Sequence, residues 1–294
     1  MTPPESNKNA APERPNGLQP VDLKIDGYAP AEIAARIEDV GVKKAQMNLA
    51  TMFVLSVLAG AFIALGAAFY TVTVTGSGLG FGLTRALGGL AFSLGLILVV
   101  IAGAELFTGN NLITLAWASG RVSAAALLRN WLVVYIGNFA GALATAYIVF
   151  LSGVWKMNNQ AVGATAVAIA ESKLQLNFVE GFCRGVLCNA LVCLAIWLCF
   201  SARSTMDKIL AIVFPISAFV ACGFEHSVAN MYFVPLGMLI QPELNSAGDT
   251  PLGWADFLQK NLLPVTLGNL LGGAGFVGGV YWFVFQRKGN FKQG

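Results

Sequence analysis

The chain has 294 residues, of which 56% are hydrophobic and 11% charged, with a formal net charge of +3 and a mean hydropathy of +0.68. Soluble domains carry about 25% charged residues, so this composition excludes an ordinary soluble domain and indicates an integral membrane protein. The small net charge, without a basic patch, argues against nucleic-acid binding.

The N-terminal region divides into a tail and a short helix. Residues 1–27 contain five prolines and few apolar side chains, which predicts a disordered tail. Pro30 suits the first turn of a helix, and Ile33, Ile37 and Val40 recur at helical spacing. An amphipathic cytoplasmic helix is therefore predicted over 28–45. Its apolar face fits either the membrane surface or a neighbouring subunit.

Residues 46–286 have the length and composition of a six-span transmembrane domain, with a cytoplasmic tail over 287–294. Four uninterrupted spans are predicted over 48–72, 130–151, 177–200 and 261–285. Span two, over about 86–118, contains a polar segment at 105–111, and span five, over 209–242, contains Gly223 near its middle. Polar and glycine residues in mid-span predict that both are broken helices.

Several residue spacings predict local contacts. Glu180 and Arg184 lie four apart, which predicts an ion pair on one helix face. Small residues permit close helix packing in span six, namely Gly268, Gly272, Gly273, Gly275, Gly278 and Gly279. The five cysteines lie in apolar segments, where small buried hydrophobes are expected, and their spacing predicts no disulfide or metal site.

The positions of Lys and Arg near the span ends predict the orientation. With the N-terminus inside, nine of these cations flank the cytoplasmic ends and four flank the outer ends. This bias predicts that both termini lie in the cytoplasm.

The two halves of the chain share a weak internal repeat. Asn130 and Asn261 each stand seven residues before a Gly-Asn pair, at an offset of 131. The Gly-x-Glu motifs ending at Glu105 and Glu225 match at an offset of 120. With three spans per half, the second half enters the membrane from the opposite side. This predicts an inverted repeat with a site near the midplane.

One segment combines the only histidine of the chain with a carboxylate. Glu225 is the only formal charge between residues 209 and 242 when His226 is neutral. A charge in mid-membrane costs about 2.5 to 3.5 kcal/mol or more, so such residues usually face a cavity or a bundle interior. A transport site is therefore predicted here.

Two motifs resemble those of the formate/nitrite transporter family. They are Gly-Ala-Glu-Leu-Phe-Thr-Gly at 103–109 and Gly-Phe-Glu-His-Ser-Val-Ala-Asn-Met at 223–231, and the similarity extends from about Pro30 to Gln286. The resemblance is closest to the formate channels. It implies an aquaporin-like six-helix protomer, assembled as a homopentamer in membrane lipid. Each protomer would have its own pore for small monovalent anions.

The resemblance also implies roles for individual residues. Thr108 would face the pore histidine, His226, with Asn189 nearby, and Lys173 would lie at the outer vestibule. Asn230 belongs to the same motif as His226. Two apolar constrictions are implied, one of Leu96, Phe107 and Val192 and the other of Phe92 and Phe219. Asn110 and Asn111 depart from the formate channels, which leaves the main substrate open.

These parts suit the movement of a weak acid. Lys173 raises the local anion concentration, but an anion does not cheaply cross two apolar slits. Imidazole, with an unperturbed pKa of about 6.5, suits a relay in which His226 gives the substrate a proton. The rival is a neutral His226 that only donates hydrogen bonds. Glu105 and Glu225 are expected to organise the loops by accepting backbone N–H bonds.

The prediction is a pH-dependent formate channel or transporter that passes nitrite and other small anions less well, with protons as partners and no cofactor or metal. A nitrite or hydrosulfide transporter of the same family is the alternative. A water or glycerol channel would be expected to carry Asn-Pro-Ala at its half-helix ends, and that tripeptide is absent. A membrane enzyme is the weakest alternative, because no nucleophile-base pair, metal cluster or phosphate loop is present.

Overall fold

The computed structural model describes residues 26–244 and 251–287, and over these residues the protein consists of helices and their connections. Most of the predicted N-terminal tail, at 1–25, and of the C-terminal tail, at 288–294, lies outside the described residues. So does the connection at 245–250.

Ten helices, α1 to α10, follow one another in the described ranges. They are Pro30–Gln46, Leu49–Val74, Gly80–Ala102, Thr114–Ala118, Ala124–Leu151, Ala161–Leu174, Phe178–Ser201, Thr205–Ala221, Ser227–Ile240 and Trp254–Phe285. The last contains two π-helical stretches, Phe257–Leu262 and Leu271–Gly279. Short 3₁₀ turns occupy Gly109–Ile113, Val154–Lys156 and Gln241–Leu244.

Five of the described helices, α2, α3, α5, α7 and α10, are long and apolar enough to cross a membrane. The remaining crossing is divided between α8, of 17 residues, and α9, of 14 residues. At 1.5 Å per residue each of these spans less than a hydrocarbon core of about 30 Å. Together they complete the six-span, aquaporin-like bundle, with breaks after α3 and α8 as predicted.

The N-terminal helix α1 packs against its own chain. Ile33 and Ile37 are buried beside Leu112 and Trp197, and Ala45 is buried beside Leu127. The apolar face therefore packs on the bundle of its own chain, a partner that was not among the two predicted from the sequence. The amphipathic pattern predicts a buried face but does not specify its partner.

Polar contacts also hold α1 to the bundle. Arg121 donates to Asp39 at 2.8 Å and to Glu38 at 3.1 Å, and these two hydrogen bonds raise the pKa of the guanidinium. Just before the helix, the Tyr28 ring lies between the guanidinium groups of Arg36 and Arg203, at 3.2 and 3.5 Å from its centroid. These contacts gather Arg121 and Arg203 on the face of the bundle that carries α1.

The connection between α5 and α7 contains a helix, α6, where the sequence suggested only a polar link. Its first turn begins after Gln160, which has a positive φ of 69°, and Ala166 and Ala170 are buried. The helix packs against α9. A short helix of low amphipathicity gives little periodic signal in the sequence. Its buried face is set by packing against the neighbouring half-helix, which the local sequence does not reveal.

The two halves of the bundle repeat a close helix crossing. A side chain at Gly141 of α5 would overlap the backbone carbonyl of Val57 in α2, and one at Gly272 of α10 would overlap that of Val186 in α7. These contacts correspond at offsets of 131 and 129. The close packing predicted for span six is therefore present at Gly272, and the inverted repeat extends to backbone packing.

Two local predictions are wrong. Glu180 forms no ion pair with Arg184 among the described contacts, because its carboxylate caps α7 by accepting from the backbone N–H of Asn177 at 3.0 Å. The cysteines are not all buried, since Cys183 and Cys222 are exposed. A lipid-facing surface is as apolar as a core, so hydropathy alone does not separate the two.

Candidate transport pathway

Both broken spans turn at a glycine in the left-handed region. Gly103 has φ 82° and ends α3, and Gly223 has φ 72° just after α8. Other residues pay a steric cost in this region. The glycines redirect the chain so that Glu105 and Glu225, two residues later, turn into the protein interior and are 5% exposed.

Around Glu225 the structure builds a charge-and-amide cluster. Lys173 Nζ lies 2.9 and 3.1 Å from the two carboxylate oxygens. Asn230 Nδ2 donates to Glu225 Oε2 at 2.7 Å and to Asn261 Oδ1 at 2.7 Å, and Asn261 Nδ2 donates to the Lys173 carbonyl at 3.0 Å. The pairing neutralises the buried carboxylate, as a charge at this depth requires.

An equivalent cluster surrounds Glu105. Lys44 Nζ lies 2.6 Å from Glu105 Oε1, and Asn110 Nδ2 donates to Glu105 Oε2 at 2.7 Å and to Asn130 Oδ1 at 3.0 Å. Asn130 Nδ2 donates to the Lys44 carbonyl at 3.2 Å. Lys44 and Lys173 are separated by 129 residues, so α1 and α6 are counterparts within the repeat.

A buried asparagine tethers each broken loop. Asn269 accepts from the Ser227 N–H at 2.9 Å and donates to the carbonyls of Glu225 and Gly185 at 2.9 and 2.8 Å. Asn138 makes the matching bonds in the other half, accepting from Phe107 N–H at 2.9 Å. The tethers satisfy backbone groups that the helix breaks leave unpaired, and such groups have no water partner in a membrane.

His226 caps α9 and lies between the two loops. Its Nδ1 accepts from the Ala229 backbone N–H at 3.1 Å, so Nδ1 carries no proton and the neutral ring is protonated at Nε2. Nε2 lies 2.9 Å from Thr108 Oγ1, which accepts a hydrogen bond from Nε2–H. The structure thus brings Thr108 and His226 together across 118 residues of sequence.

A cavity opens on each side of this contact. The one toward α1 has a volume of about 460 Å³ and is lined by Lys44, Glu105 and Lys208 among mainly apolar residues. The opposite one has about 150 Å³, includes His226 in its lining, and has Arg85, Lys173 and Glu225 as its charged residues. We call them the inner and the outer cavity.

The two predicted apolar constrictions differ in how they lie relative to the cavities. Phe92 and Phe219 line the outer cavity with their ring centroids 5.6 Å apart, and Phe219 lies 6.0 Å from the His226 ring. Leu96, Phe107 and Val192 line neither cavity, but all three are buried in the same apolar core. The phenylalanine pair therefore lies directly on the outer approach.

Asn189 forms no hydrogen bond with His226 among the described contacts. Its Nδ2 donates to Asn111 Oδ1 at 2.8 Å and to the Asn269 carbonyl at 2.7 Å. Asn111 in turn donates to the Phe107 carbonyl at 3.1 Å. Asn111, one of the two residues that depart from the formate channels, thus joins the first broken loop to α7.

The role predicted for the two glutamates needs correction. Their carboxylates accept hydrogen bonds from the side chains of lysine and asparagine, and no backbone N–H bond to either is found in the described ranges. Lys173 lies in a helix with a side chain only 12% exposed. It is therefore not a solvated loop charge, the reading its sequence position alone would give.

Sequence reasoning missed three partners in these clusters, Lys44, Asn130 and Asn261. Lys44 counted only toward orientation, and the asparagines served only to mark the repeat. The offset that relates Lys44 to Lys173 was the available signal. It matches the offset of the α2 and α7 packing contacts.

Comparison with known proteins identifies the family. A sequence profile described as formate/nitrite transporter matches residues 31–283. The formate channel FocA of Escherichia coli K12 is 41% identical over 280 residues, covering 92% of this chain and 98% of that protein. FocA of Haemophilus influenzae is 42% identical over 276 residues, covering 90% and 95%.

Solved structures agree with the sequence comparison. A pentameric formate channel with formate bound has 42% identity and a TM-score of 0.75, covering 81% of this chain and 97% of that one. An ion channel of the same family has 30% identity and a TM-score of 0.76, covering 86% and 98%. The match spans both broken loops and all membrane helices, and the chain belongs to the formate/nitrite transporter family.

Proposed function

We propose that the protein is a pH-dependent formate channel of the inner membrane that passes nitrite less well. The observation that carries this is the buried hydrogen bond between Thr108 and His226, placed between two cavities that each hold lysine. Relatives at 41 and 42% identity are named formate channels. The small outer cavity suits an ion the size of formate.

The two cavities and the apolar centre favour different charge states of the substrate. Cationic groups favour the formate anion at the mouths. The apolar pair Phe92 and Phe219 favours a neutral molecule, because an unpaired charge there loses its hydration. Formate that takes a proton from hydronium in the cavity, leaving water, meets both conditions, and this gives a flux that rises with acidity.

The geometry supports the neutral donor role for His226 over the relay. For the ring to give up its Nε2 proton without becoming an anion, Nδ1 must first be protonated, which breaks its bond from the Ala229 N–H. We therefore assign His226 as a neutral group whose Nε2–H turns from Thr108 to the oxygen of the passing substrate.

Uptake into proteoliposomes tests the substrate. Labelled formate, nitrite, lactate and water are followed separately across an imposed pH gradient. Formate uptake that rises with outside acidity and is weakly inhibited by nitrite supports the proposal. Water flux without anion flux contradicts it, and faster nitrite than formate uptake reverses the substrate order.

Two histidine variants test the role of the ring. His226→Gln keeps an N–H donor, so we expect reduced formate flux with the wild-type pH profile. His226→Phe removes the donor, so we expect little flux at any pH. A relay predicts instead that His226→Gln loses the acid-dependent rise.

We further propose a homopentamer. Large apolar side chains are exposed on the isolated protomer, including Phe81 at 83% and Phe214 at 74%, and such faces need lipid or another subunit. A relative of 42% identity is described as pentameric. Native mass spectrometry should find a species of five 31.0-kDa chains, and a monomer or another oligomer would contradict the proposal.

Both termini are proposed to be cytoplasmic, because the face that carries α1 also gathers Arg121, Arg129 and Arg203. Green fluorescent protein fused to the C-terminus should fluoresce in bacterial cells, and alkaline phosphatase at the same place should be inactive. The opposite pair of results would invert the orientation.

A further inference from the structure

The outer cavity contains two cations, and only one of them has a carboxylate partner in the described residues. Lys173 contacts both oxygens of Glu225. Arg85 forms no ion pair within the described ranges. Since Glu225 offsets Lys173, the net positive charge that an anion meets in this cavity comes from Arg85.

Arg85 is held in place by the end of a half-helix. Its Nη2 donates to the Val220 carbonyl at 2.6 Å, its Nε to the Ala221 carbonyl at 3.1 Å, and its Nη1 to the Tyr70 hydroxyl at 3.3 Å. The helix C-terminus carries a partial negative charge. In α8 this end points toward the pathway, where it would repel an anion. Arg85 covers it.

The guanidinium also keeps capacity for a ligand. It has five N–H donors. Three of them bond Val220, Ala221 and Tyr70, and the other two have no partner among the residues that the structure describes. Arg85 lines the cavity together with Lys173 and His226. A side chain at Gly223 would stand 3.2 Å from Nη2, so this glycine also leaves room beside the cation.

We propose that Arg85 is the anion-docking residue of the outer cavity, and that it binds a small carboxylate such as formate before the phenylalanine pair. Lys173 then acts mainly to hold Glu225 and the loop. The inference rests on the proposed formate transport. The inner cavity has a matching arrangement, in which Lys44 pairs with Glu105 and Lys208 has no carboxylate partner in the described residues.

The test measures initial formate uptake from the outer side, over a range of formate concentrations, with the full-length protein in proteoliposomes. Arg85→Gln keeps a donor for the α8 carbonyls but removes the charge. We expect its half-saturating formate concentration to rise about fivefold, as loss of one charge near 4 Å in water implies. The maximal rate should stay near wild type, and the dependence on ionic strength should flatten.

Three further variants separate charge from structure. Arg85→Lys keeps the charge and should remain near wild type. Lys156→Gln removes a cation from the same side outside the cavity and should leave the half-saturating concentration unchanged. Ser172→Glu, at the exposed rim of the cavity, cancels the charge without touching the bonds of Arg85. It should raise the half-saturating concentration even if Arg85→Gln does not fold.

The outcomes distinguish the two proposals. If the wild-type protein transports no formate, the proposed function fails. If it does, and neither Arg85→Gln nor Ser172→Glu changes the half-saturating concentration, only the docking role is overturned. A defect in Arg85→Lys as large as that in Arg85→Gln would assign Arg85 to holding α8 instead.

Discussion

The inner charge cluster around Glu105 and the outer one around Glu225 contain the same residue types, but their lysines differ in exposure. Lys44 is 26% exposed and bonds Glu105 and Asn110. Lys173 is 12% exposed and, within the described residues, its ammonium group donates hydrogen bonds only to Glu225, while Asn230 Oδ1 has no partner there. The inner cavity is about three times as large as the outer, at about 460 against 150 Å³. The repeat therefore fixes the clusters, and their surroundings set how strongly each is desolvated.

The comparison also shows how the two halves differ in function. Residues related by an offset of 120 include Glu105 and Glu225, Asn110 and Asn230, but Leu106 stands where the other half has His226. The loops share a scaffold of amides. Each loop brings a hydrogen-bonding side chain to the centre from a different position, Thr108 in the first and His226 in the second, so the repeat supplies the support and its exceptions supply the chemistry.

The largest effects are expected from the two tethers. Asn269→Leu leaves the Ser227 N–H and the Glu225 carbonyl without the partners they have here, and removes a second bond to the Gly185 carbonyl inside α7. At about 1 to 3 kcal/mol for each unsatisfied group, we expect the free energy of unfolding to fall by about 4 kcal/mol. Asn138→Leu should cost a similar amount if the halves are equivalent.

Thermal unfolding in detergent measures both tether variants, with Thr145→Val as the control because its hydroxyl bonds only the nearby Gly141 carbonyl of the same helix. A loss in one tether variant but not in the other would break the equivalence of the two loops.

The next largest effect, and a difference in stability between the two halves, is expected from substitution of the two lysines. Lys173→Met leaves a carboxylate buried and unpaired, which costs about 3 kcal/mol. Lys44→Met should cost about 1 kcal/mol, because its pair is more exposed to water. Thermal midpoints of the two variants give this order directly.

Adding Glu225→Gln to Lys173→Met should recover most of the lost stability, since no charge is then left unpaired. Equal losses in the two lysine variants would show that the difference in exposure has no energetic consequence.

A smaller effect is expected at the centre, where the halves differ. Thr108→Val removes the acceptor of His226 Nε2–H, and Thr108→Ser keeps it. One hydrogen bond of about 1 kcal/mol implies about a fivefold loss of formate flux in the valine variant. Thr108→Ser should transport formate at or near the wild-type rate. Equal formate flux in the valine and serine variants would show that the hydroxyl does not contribute to transport.

The smallest effect is expected at the ion pairs of α1. Arg121→Gln removes both contacts to Glu38 and Asp39. The Arg121 and Asp39 side chains are 45% and 60% exposed, so their pair contributes little, and Glu38, although only 8% exposed, lines neither cavity. Formate flux should change by less than about twofold, as measured in the same uptake assay. A larger change in flux would show that the ion pairs of α1 control access to the inner cavity.

Much of the fold could be predicted because it follows from local chemistry. Uninterrupted apolar stretches such as 130–151 predict membrane spans. Gly103 and Gly223 indicate breaks in helices, since few other residues adopt a positive φ. The partner of α1 and the helix α6 could not be predicted, because a short helix in this bundle takes its buried face from its neighbours. The pairing of Glu225 with Lys173 joins residues 52 apart and has no local signature.

The sequence by itself indicated a six-helix membrane bundle with repeated halves, and it predicted that His226 and Glu225 lie at mid-membrane depth. These follow from hydropathy, spacing and the cost of charge in lipid. Only the tertiary structure decided the protonated nitrogen of His226, the neutralisation of both glutamates by lysine, and the position of Arg85 over the end of α8. Each of these depends on groups distant in sequence that come within hydrogen-bonding distance only when the helices pack.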